Sequence, residues 1–168
     1  MEKLLKAIAP SIFVFVIYII YTGSTRLYDI VTGLVASIII GVALAPLVVE
    51  NWRKSLSLQR FLTLVKYILR YFLIDEVKAH WNVVKLGLNP KMPIKPGIVR
   101  VPINSKSEYA ITLIAISITN TPGTVVVDVD KEKGLLYVNW IYVISEKPED
   151  AYKEIAFVFD KYARKIFD

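Results

Sequence analysis

The sequence contains no cysteine and only one histidine. Without cysteine the chain cannot build a disulfide framework, a thiolate metal site or a thiol nucleophile, and this fits a reducing compartment. It also lacks a glycine-rich loop that could cradle a phosphate and any serine, histidine and aspartate arrangement typical of a hydrolase. These absences argue against an enzyme, and we assign no catalytic, cofactor-binding or metal-binding residues.

One acidic motif superficially resembles the start of a calcium-binding loop. Asp128, Asp130 and Glu132 alternate as the first ligands of such a loop do. However, the position that needs glycine holds Lys133, and the twelfth position holds Asn139 instead of glutamate. The motif therefore predicts a charged hairpin tip and no metal site.

Charged side chains are also missing from two long apolar runs. Ala7–Thr25 has 19 residues and Ile30–Val49 has 20, close to the ~20 residues that an α-helix needs to cross a bilayer. Only Arg26–Asp29 separates the runs, so they predict a transmembrane hairpin over residues 1–55. Hydrophobic residues make up 55% of the chain and the mean hydropathy is +0.48. We do not expect a cleaved signal peptide, because a second span follows the first at once.

The predicted spans hold no ionisable side chain near their centres. Proton and cation pathways are usually built from such groups, so this chain alone is not expected to be a transporter or channel. The second span instead repeats a small residue at every fourth position, in the stripe Gly33, Ser37, Gly41 and Ala45. Such a stripe lets helix backbones approach closely, and it predicts a packing face for the first span or for a partner subunit.

Positive charge is concentrated beside the predicted spans. Residues 1–95 carry twelve Lys/Arg and five Asp/Glu, a net +7, whereas residues 96–168 carry nine and ten, a net −1. This distribution favours anionic lipid headgroups over nucleic acid as the partner of the basic residues. Because basic residues precede the first span and follow the second, the positive-inside rule places both termini in the cytoplasm of a multi-pass cell-membrane protein.

Residues 56–96 predict a membrane-surface helix and a linker. The helix is expected over Ser57–Leu86, and Asn89–Pro96 is rich in proline. An apolar stripe is expected on one side and basic residues on the other side or its flanks; the apolar stripe comprises Phe61, Leu64, Val65, Ile68, Leu69 and Phe72, and the basic residues are Arg60, Lys66, Arg70 and Lys78. This pattern is typical of a helix in the plane of the interface. A third crossing, shielded by partner subunits, is the alternative. His80 lies on the same helix and is expected to pack at an interface or face solvent.

Residues 97–168 predict a small cytoplasmic α+β domain in the order β-α-β-β-α. The first strand is expected over Gly97–Ile103, and a β-hairpin pairs Thr124–Asp130 with Leu135–Ile144. Between them, Tyr109–Asn120 is read as a helix despite its alternating isoleucines, because a capping box of Ser105 and Glu108 precedes it. A last helix starts near Pro148, and its expected buried face comprises Ala151, Ile155, Val158, Phe159 and Tyr162.

Several short motifs, taken in order, resemble the E subunit of the multisubunit Mrp-type Na+/H+ antiporters. They are Ile94–Ile98, Ile111–Ala115, Ile118–Thr124, Asp128–Asp130 and Leu136–Trp140. The resemblance extends over nearly the whole chain, and Asn120, where leucine is common in the family, is a small departure from it. Members of this family have no assigned catalytic residues, so the resemblance implies none in this chain.

The resemblance implies a non-catalytic accessory subunit of a cation/proton antiporter module. The expected partners are the other membrane subunits of that module and the lipid bilayer, without nucleic acid and without a cofactor. The module is either free-standing or part of an archaeal membrane-bound hydrogenase or a related respiratory complex, in which case hydrogenase subunits are partners too. The alternative function is a membrane-tethered binding domain that acts outside such a complex.

Overall fold

The computed structural model describes residues 2–168 of the chain. These residues form two compact units, one that ends at Gln59 and one that spans Arg60–Asp168. The N-terminal unit is helical, and the C-terminal unit combines helices with a small antiparallel sheet.

The N-terminal unit contains two long apolar helices, α1 (Glu2–Thr22) and α2 (Leu27–Val48), followed by the short α3 (Trp52–Ser55). Both long helices are long and apolar enough to cross a membrane. The sequence pattern misplaced the turn between them, because α1 already ends at Thr22. Gly23 adopts a φ of +60° and donates its N–H to the Ile19 carbonyl at 3.0 Å, the usual way a glycine terminates a helix.

One long helical segment starts two residues before the C-terminal unit and continues into it. It consists of α4 (Leu58–Arg70), a π-helical turn (Tyr71–Asp75) and α5 (Glu76–Gly87). The predicted helix over Ser57–Leu86 is therefore present, but it is not uniformly α-helical. A π turn adds one residue to the helix and so rotates everything that follows.

The sheet has three antiparallel strands in the order β1-β3-β2. The strands are β1 (Gly97–Pro102), β2 (Thr124–Asp130) and β3 (Leu135–Trp140). Val138 in the central strand lies opposite Val99 on one side and Val126 on the other. The predicted strand Leu135–Ile144 was too long, since regular pairing ends at Trp140. Beyond it, only an isolated bridge joins Lys95 and Tyr142.

Helix α6 (Glu108–Asn120) follows β1. The predicted helix is correct although isoleucines alternate in its sequence, because its buried residues Ala110, Ile111, Ile114, Ser117 and Ile118 recur at helical spacing. The predicted capping box was wrong. Ser107, not Ser105, is the N-cap, and its side chain accepts the Ala110 N–H at 3.1 Å.

The last helical segment consists of α7 (Pro148–Ala151), a second π turn (Tyr152–Ala156) and α8 (Phe157–Phe167). Three residues of the predicted buried face, Ala151, Ile155 and Phe159, are buried. Val158 and Tyr162 are only partly buried. The core lies between one face of the sheet and helices α6 and α8, and its fully buried larger apolar side chains are Val101, Ile114, Ile118, Leu136 and Val138.

Candidate interaction surfaces

The small-residue stripe of α2 is the face that packs against α1. All four members are buried: Gly33, Ser37, Gly41 and Ala45. A Cβ on Gly41 would lie 2.8 Å from the Ser11 backbone nitrogen and 2.9 Å from its Cα, closer than a carbon approaches backbone. Near the other end, the Tyr18 ring covers Gly33, and the Tyr18 hydroxyl lies 3.0 Å from Thr32 Oγ1. Of the two alternatives left open by the sequence, the first helix fills this face.

The remaining faces of α1 and α2 expose large apolar side chains. Phe13 and Ile20 of α1 and Leu47 of α2 are each more than half exposed. A soluble protein rarely leaves such a continuous apolar surface open. These faces are therefore suited to contact lipid tails or other membrane helices.

Two tyrosines, one in α4 and one at the start of the π turn, anchor one side of this helical segment to the rest of the C-terminal unit. Tyr67 and Tyr71 are buried, and both rings contact Phe159 of α8 with centroids 6.5 Å and 6.0 Å away. The Tyr67 hydroxyl is hydrogen-bonded to Ser117 Oγ, and Asn120 Nδ2 donates to the Tyr71 hydroxyl at 3.0 Å. Burial raises the pKa of Tyr67 to about 12. The helix is thus part of the folded unit and not only a connector.

Arg60 lies on this anchored side, away from the exposed apolar side chains, and it contacts the end of α8. Its guanidinium Nη1 donates to the Ile166 carbonyl at 2.7 Å. The carbonyl lies in the last turn of α8, where cationic groups interact favourably with the helix dipole. Leu64, assigned to the exposed stripe from its spacing, also packs against the core.

The opposite side of α4 and α5 is apolar and open. Large side chains along it are exposed, among them Phe61, Leu62, Val65, Leu69, Phe72, Val77, Trp81 and Val84. Lysines border this surface at Lys66, Lys78 and Lys85, and all three are exposed. We call these apolar residues, together with Leu88, the outer stripe.

His80 has an acidic neighbour, Glu76, one helical turn earlier. Its Nδ1 lies 2.9 Å from the Glu76 carbonyl oxygen and 3.6 Å from Glu76 Oε1. The imidazole ring is mostly exposed to solvent. This pair is an ordinary one-turn contact on a helix surface.

The acidic hairpin tip uses its carboxylates to close the turn. Asp130 Oδ1 accepts the Lys133 N–H at 3.0 Å, and Asp130 Oδ2 pairs with Lys133 Nζ at 2.7 Å. Asp128 Oδ1 accepts the N–H of Val129. Across residues 2–168, no three side chains of His, Cys, Asp or Glu come together as a metal-ion site.

A buried carboxylate, Asp160 of α8, was missed by the sequence analysis. Its two oxygens accept hydrogen bonds from both the backbone and side chain of Asn104 and Ser105 and from the Tyr152 hydroxyl, at 2.6–3.2 Å. Arg164 Nε lies 3.7 Å away. Burial raises the pKa of the Asp160 carboxyl, but the hydrogen bonds from Ser105, Tyr152 and Asn104 outweigh burial and hold that pKa below its ordinary value. This is why Ser105 does not cap α6.

The chain thus has two helices long and apolar enough to cross a membrane, followed by a small α+β unit. Residues 11–166 match the family model described as Na+/H+ ion antiporter subunit. The chain therefore belongs to the Na+/H+ ion antiporter subunit family, whose members are transporter subunits and not enzymes.

Curated relatives match along most of their length. The chain is 29% identical over 153 residues to the E subunit of the Na(+)/H(+) antiporter of Alkalihalophilus pseudofirmus, covering 91% of this chain and 90% of that protein. It is 27% identical over 156 residues to the E1 subunit of the Na(+)/H(+) antiporter of Staphylococcus epidermidis, covering 93% and 94%.

A solved structure matches almost the whole fold. It is a chain of the membrane-bound sulfane sulfur reductase, an archaeal respiratory membrane complex. The TM-score is 0.82 at 30% sequence identity, over 96% of this chain and 99% of that chain.

Proposed function

We propose that the chain is a non-catalytic accessory subunit of a multisubunit cation/proton antiporter module. The observation that carries this proposal is the family match over residues 11–166. The chain contributes packing surfaces to its complex, while other subunits carry the ions. Its two long helices support this role, because in their central turns they present only uncharged side chains.

The parent complex that we favour is a respiratory membrane complex that contains the antiporter module. The whole-chain likeness to a chain of an archaeal respiratory membrane complex supports this choice. That complex is a sulfane sulfur reductase, so among the two respiratory alternatives we favour a related complex over a hydrogenase. A free-standing antiporter is the second candidate, supported by the curated relatives named as antiporter subunits.

In this proposal, α1 and α2 both cross the cell membrane and the C-terminal unit lies in the cytoplasm. The excess of basic residues on both sides of the helix pair supports the orientation. Helices α4 and α5 lie at the membrane surface, between the rest of the C-terminal unit and the lipid. The outer stripe supports this placement, since it leaves an apolar surface open along the whole segment.

Deletion of the chain tests the role. In a host that expresses the complete complex, deletion should lower the amount of assembled complex and its ion-coupled activity, and re-expression should restore both. The substitutions His80→Asn and Asp128→Asn should leave turnover per assembled complex nearly unchanged, because neither side chain takes part in ion transfer.

Two results would contradict the proposal. One is Na+/H+ exchange by the purified chain alone in liposomes, which would make it the transporter. The other is complete assembly and full activity without the chain, which would favour the membrane-tethered binding domain that acts elsewhere.

A further inference from the structure

The π turn lies in the middle of the 30-residue helical segment formed by α4, the turn and α5. One face of this segment packs against the rest of the C-terminal unit, the outer stripe forms the other face, and both faces run across the turn. In an uninterrupted α-helix, residues 11 or 18 positions apart share nearly the same angle around the axis. Counted from buried Tyr67, those positions are Lys78 and Lys85. A regular helix would therefore direct two lysines at the core of the C-terminal unit.

The structure instead exposes both lysines. The residues that turn toward the unit after the π turn come one position later, at Ala79, Val83 and Leu86, and all three are partly buried. Val83 Cγ2 lies 3.4 Å from where a Cβ on Gly123 would stand, so this side of α5 faces the unit. The extra residue of the π turn has rotated α5 by about 100° relative to a regular helix.

The same rotation aligns the outer stripe. Leu62 and Trp81 are 19 residues apart, which would separate them by about 100° on a regular helix. With one residue absorbed by the π turn, they fall on one line, as do Lys66 and Lys85. Both apolar residues are more than half exposed. The outer stripe and its basic border thus continue without a break across the π turn.

We propose that the π turn Tyr71–Asp75 keeps one lipid-facing stripe in phase along α4 and α5, and that the lysine border of this stripe binds anionic lipid headgroups. The inference rests on the proposed placement of the chain in the membrane. It adds the ligand class, an anionic bilayer surface, and the structural device that makes the surface continuous.

Three observations favour lipid as the occupant over a partner protein. Only nine residues connect the end of α2 with the start of α4, so α4 begins within about 30 Å of a membrane-spanning helix. The positive charge lies along one border of the stripe, where headgroups meet the hydrocarbon. Trp81, with an apolar ring and a polar N–H, lies within the stripe as interfacial tryptophans do.

A nitroxide scan tests whether the outer stripe faces lipid. Because the chain has no cysteine of its own, each introduced cysteine carries the only label. Labels at each position from 61 to 88 of the full chain would be reconstituted in vesicles of phosphatidylcholine and phosphatidylglycerol. Collision with oxygen, which concentrates in lipid, should peak at Leu62, Leu69 and Phe72 and then at Val77, Trp81 and Val84. The peaks should step by one residue at the π turn.

Deletion of Leu73 tests the device itself. Removing one residue should rotate α5 back by about 100°, so the oxygen maxima after the turn should leave Trp81 and Val84. The substitution Leu73→Ala keeps the length of the segment and should preserve the maxima. If the deletion variant does not fold, the one-residue step in the scan of the unaltered chain still decides the point.

Charge removal tests the headgroup contact. Lys78→Gln and Lys85→Gln should each lower the ratio of lipid-exposed to water-exposed label at Leu69 by about fivefold, and only in vesicles that contain phosphatidylglycerol. Lys153→Gln, an exposed lysine on another helix, is the matched control and should change nothing.

Other outcomes overturn the proposal. Labels on the outer stripe that are immobile and shielded from both oxygen and a water-soluble reagent in the assembled complex would show a protein partner. Oxygen access around the whole helix would show a third crossing. Either result would overturn the lipid contact but not the accessory role, provided that the complex still assembles only with this chain. Normal assembly without the chain would instead overturn the accessory role and leave the lipid contact standing.

Discussion

At the scale of single residues, Asp160 is the most consequential polar side chain in the C-terminal unit. It is fully buried, and it joins α8 to the Asn104–Ser105 segment, which lies between β1 and α6. A buried carboxylate is tolerated only when its oxygens are satisfied, and here they accept five hydrogen bonds. The carboxylate therefore fixes the position of the segment that starts α6.

We predict that Asp160→Asn lowers the free energy of unfolding of the C-terminal unit by about 3 kcal/mol at neutral pH, because it leaves donors around the site without a charged acceptor. Since the pKa of Asp160 is held below its ordinary value, the ionised carboxylate stabilises the fold above about pH 4, and this contribution is lost as pH falls through the lowered pKa. Denaturant unfolding of the full chain in detergent, followed by tryptophan fluorescence, measures both effects.

The exposed Asp128 provides the control, because Asp128→Asn should change stability by less than about 0.5 kcal/mol. An Asp160→Asn variant as stable as the parent at every pH would show that the carboxylate does not hold the segment.

No local pattern could have identified Asp160. Its neighbours along the helix, Ile155, Phe159 and Ala163, are recognisable as a buried face, and an aspartate beside that face is normally solvated. Its donors Asn104 and Ser105 lie 55 or more positions away in the sequence. For the same reason Ser105 was mistaken for a helix cap, although its hydroxyl donates to Asp160 Oδ1 at 2.6 Å.

At the scale of helices, the pair α1 and α2 depends on close backbone approach. We predict that Gly41→Leu disrupts their packing strongly, because even its Cβ would lie 2.8–2.9 Å from Ser11 backbone atoms, which cannot move independently of the helix. Gly33→Ala should cost less, since the group it meets is the Tyr18 ring, a side chain that can turn aside. Val42→Leu, on the exposed side, is the matched control.

The yield of assembled complex after mild detergent extraction measures the effect. We expect a severe loss for Gly41→Leu, a partial loss for Gly33→Ala and none for Val42→Leu, consistent with the ~1–3 kcal/mol typical of overpacking. Equal yields from Gly41→Leu and Val42→Leu would mean that the two helices do not need this approach.

The sequence predicted the existence and type of most elements because they rest on local patterns. Two apolar runs, a long amphipathic segment and a hairpin with a glycine-containing turn each follow from nearby residues. The segment from Leu58 to Gly87 was only half understood, since periodicity indicated one apolar stripe. Tyr67 and Tyr71 form a second buried face against α6 and α8, and tertiary contacts of this kind are invisible to a helical wheel. The π turn that reconciles the two faces also has no clear sequence signal.

At the scale of the whole molecule, the distribution of charge is the feature that links sequence to membrane placement. The net +7 of residues 1–95 and the net −1 of residues 96–168 differ by eight charges. The basic residues border the long helices and the outer stripe, where anionic headgroups attract them. Residues 96–168 are nearly neutral, so within the C-terminal unit the electrostatic attraction to the bilayer comes from residues 60–95, which include most of α4 and all of α5.

We predict that both ends of the chain face the cytoplasm and that the turn between α1 and α2 faces outward. Single cysteines at Lys3, Tyr28 and Lys165, all exposed positions, report the topology through a membrane-impermeant thiol reagent. In intact cells only the cysteine at Tyr28 should react, whereas those at Lys3 and Lys165 should react after the membrane is permeabilised. Lys165 is a better reporter than Asp168, whose carboxylate accepts the N–H groups of Lys106 and Ser107.

A cysteine at Val42, in the second half of α2 and six residues from its end, should remain unreactive in both conditions, because the thiolate that reacts does not form in hydrocarbon. The cysteine at Tyr28 also distinguishes the two orientations of a membrane-crossing helix pair, one with the turn outside the cell and one with the turn inside. Reaction at Lys165 but not at Tyr28 in intact cells would invert the orientation and put the C-terminal unit outside. Reaction at all three positions in intact cells would mean that α1 and α2 do not cross as a pair, and the outer stripe would then need a partner other than the cytoplasmic leaflet.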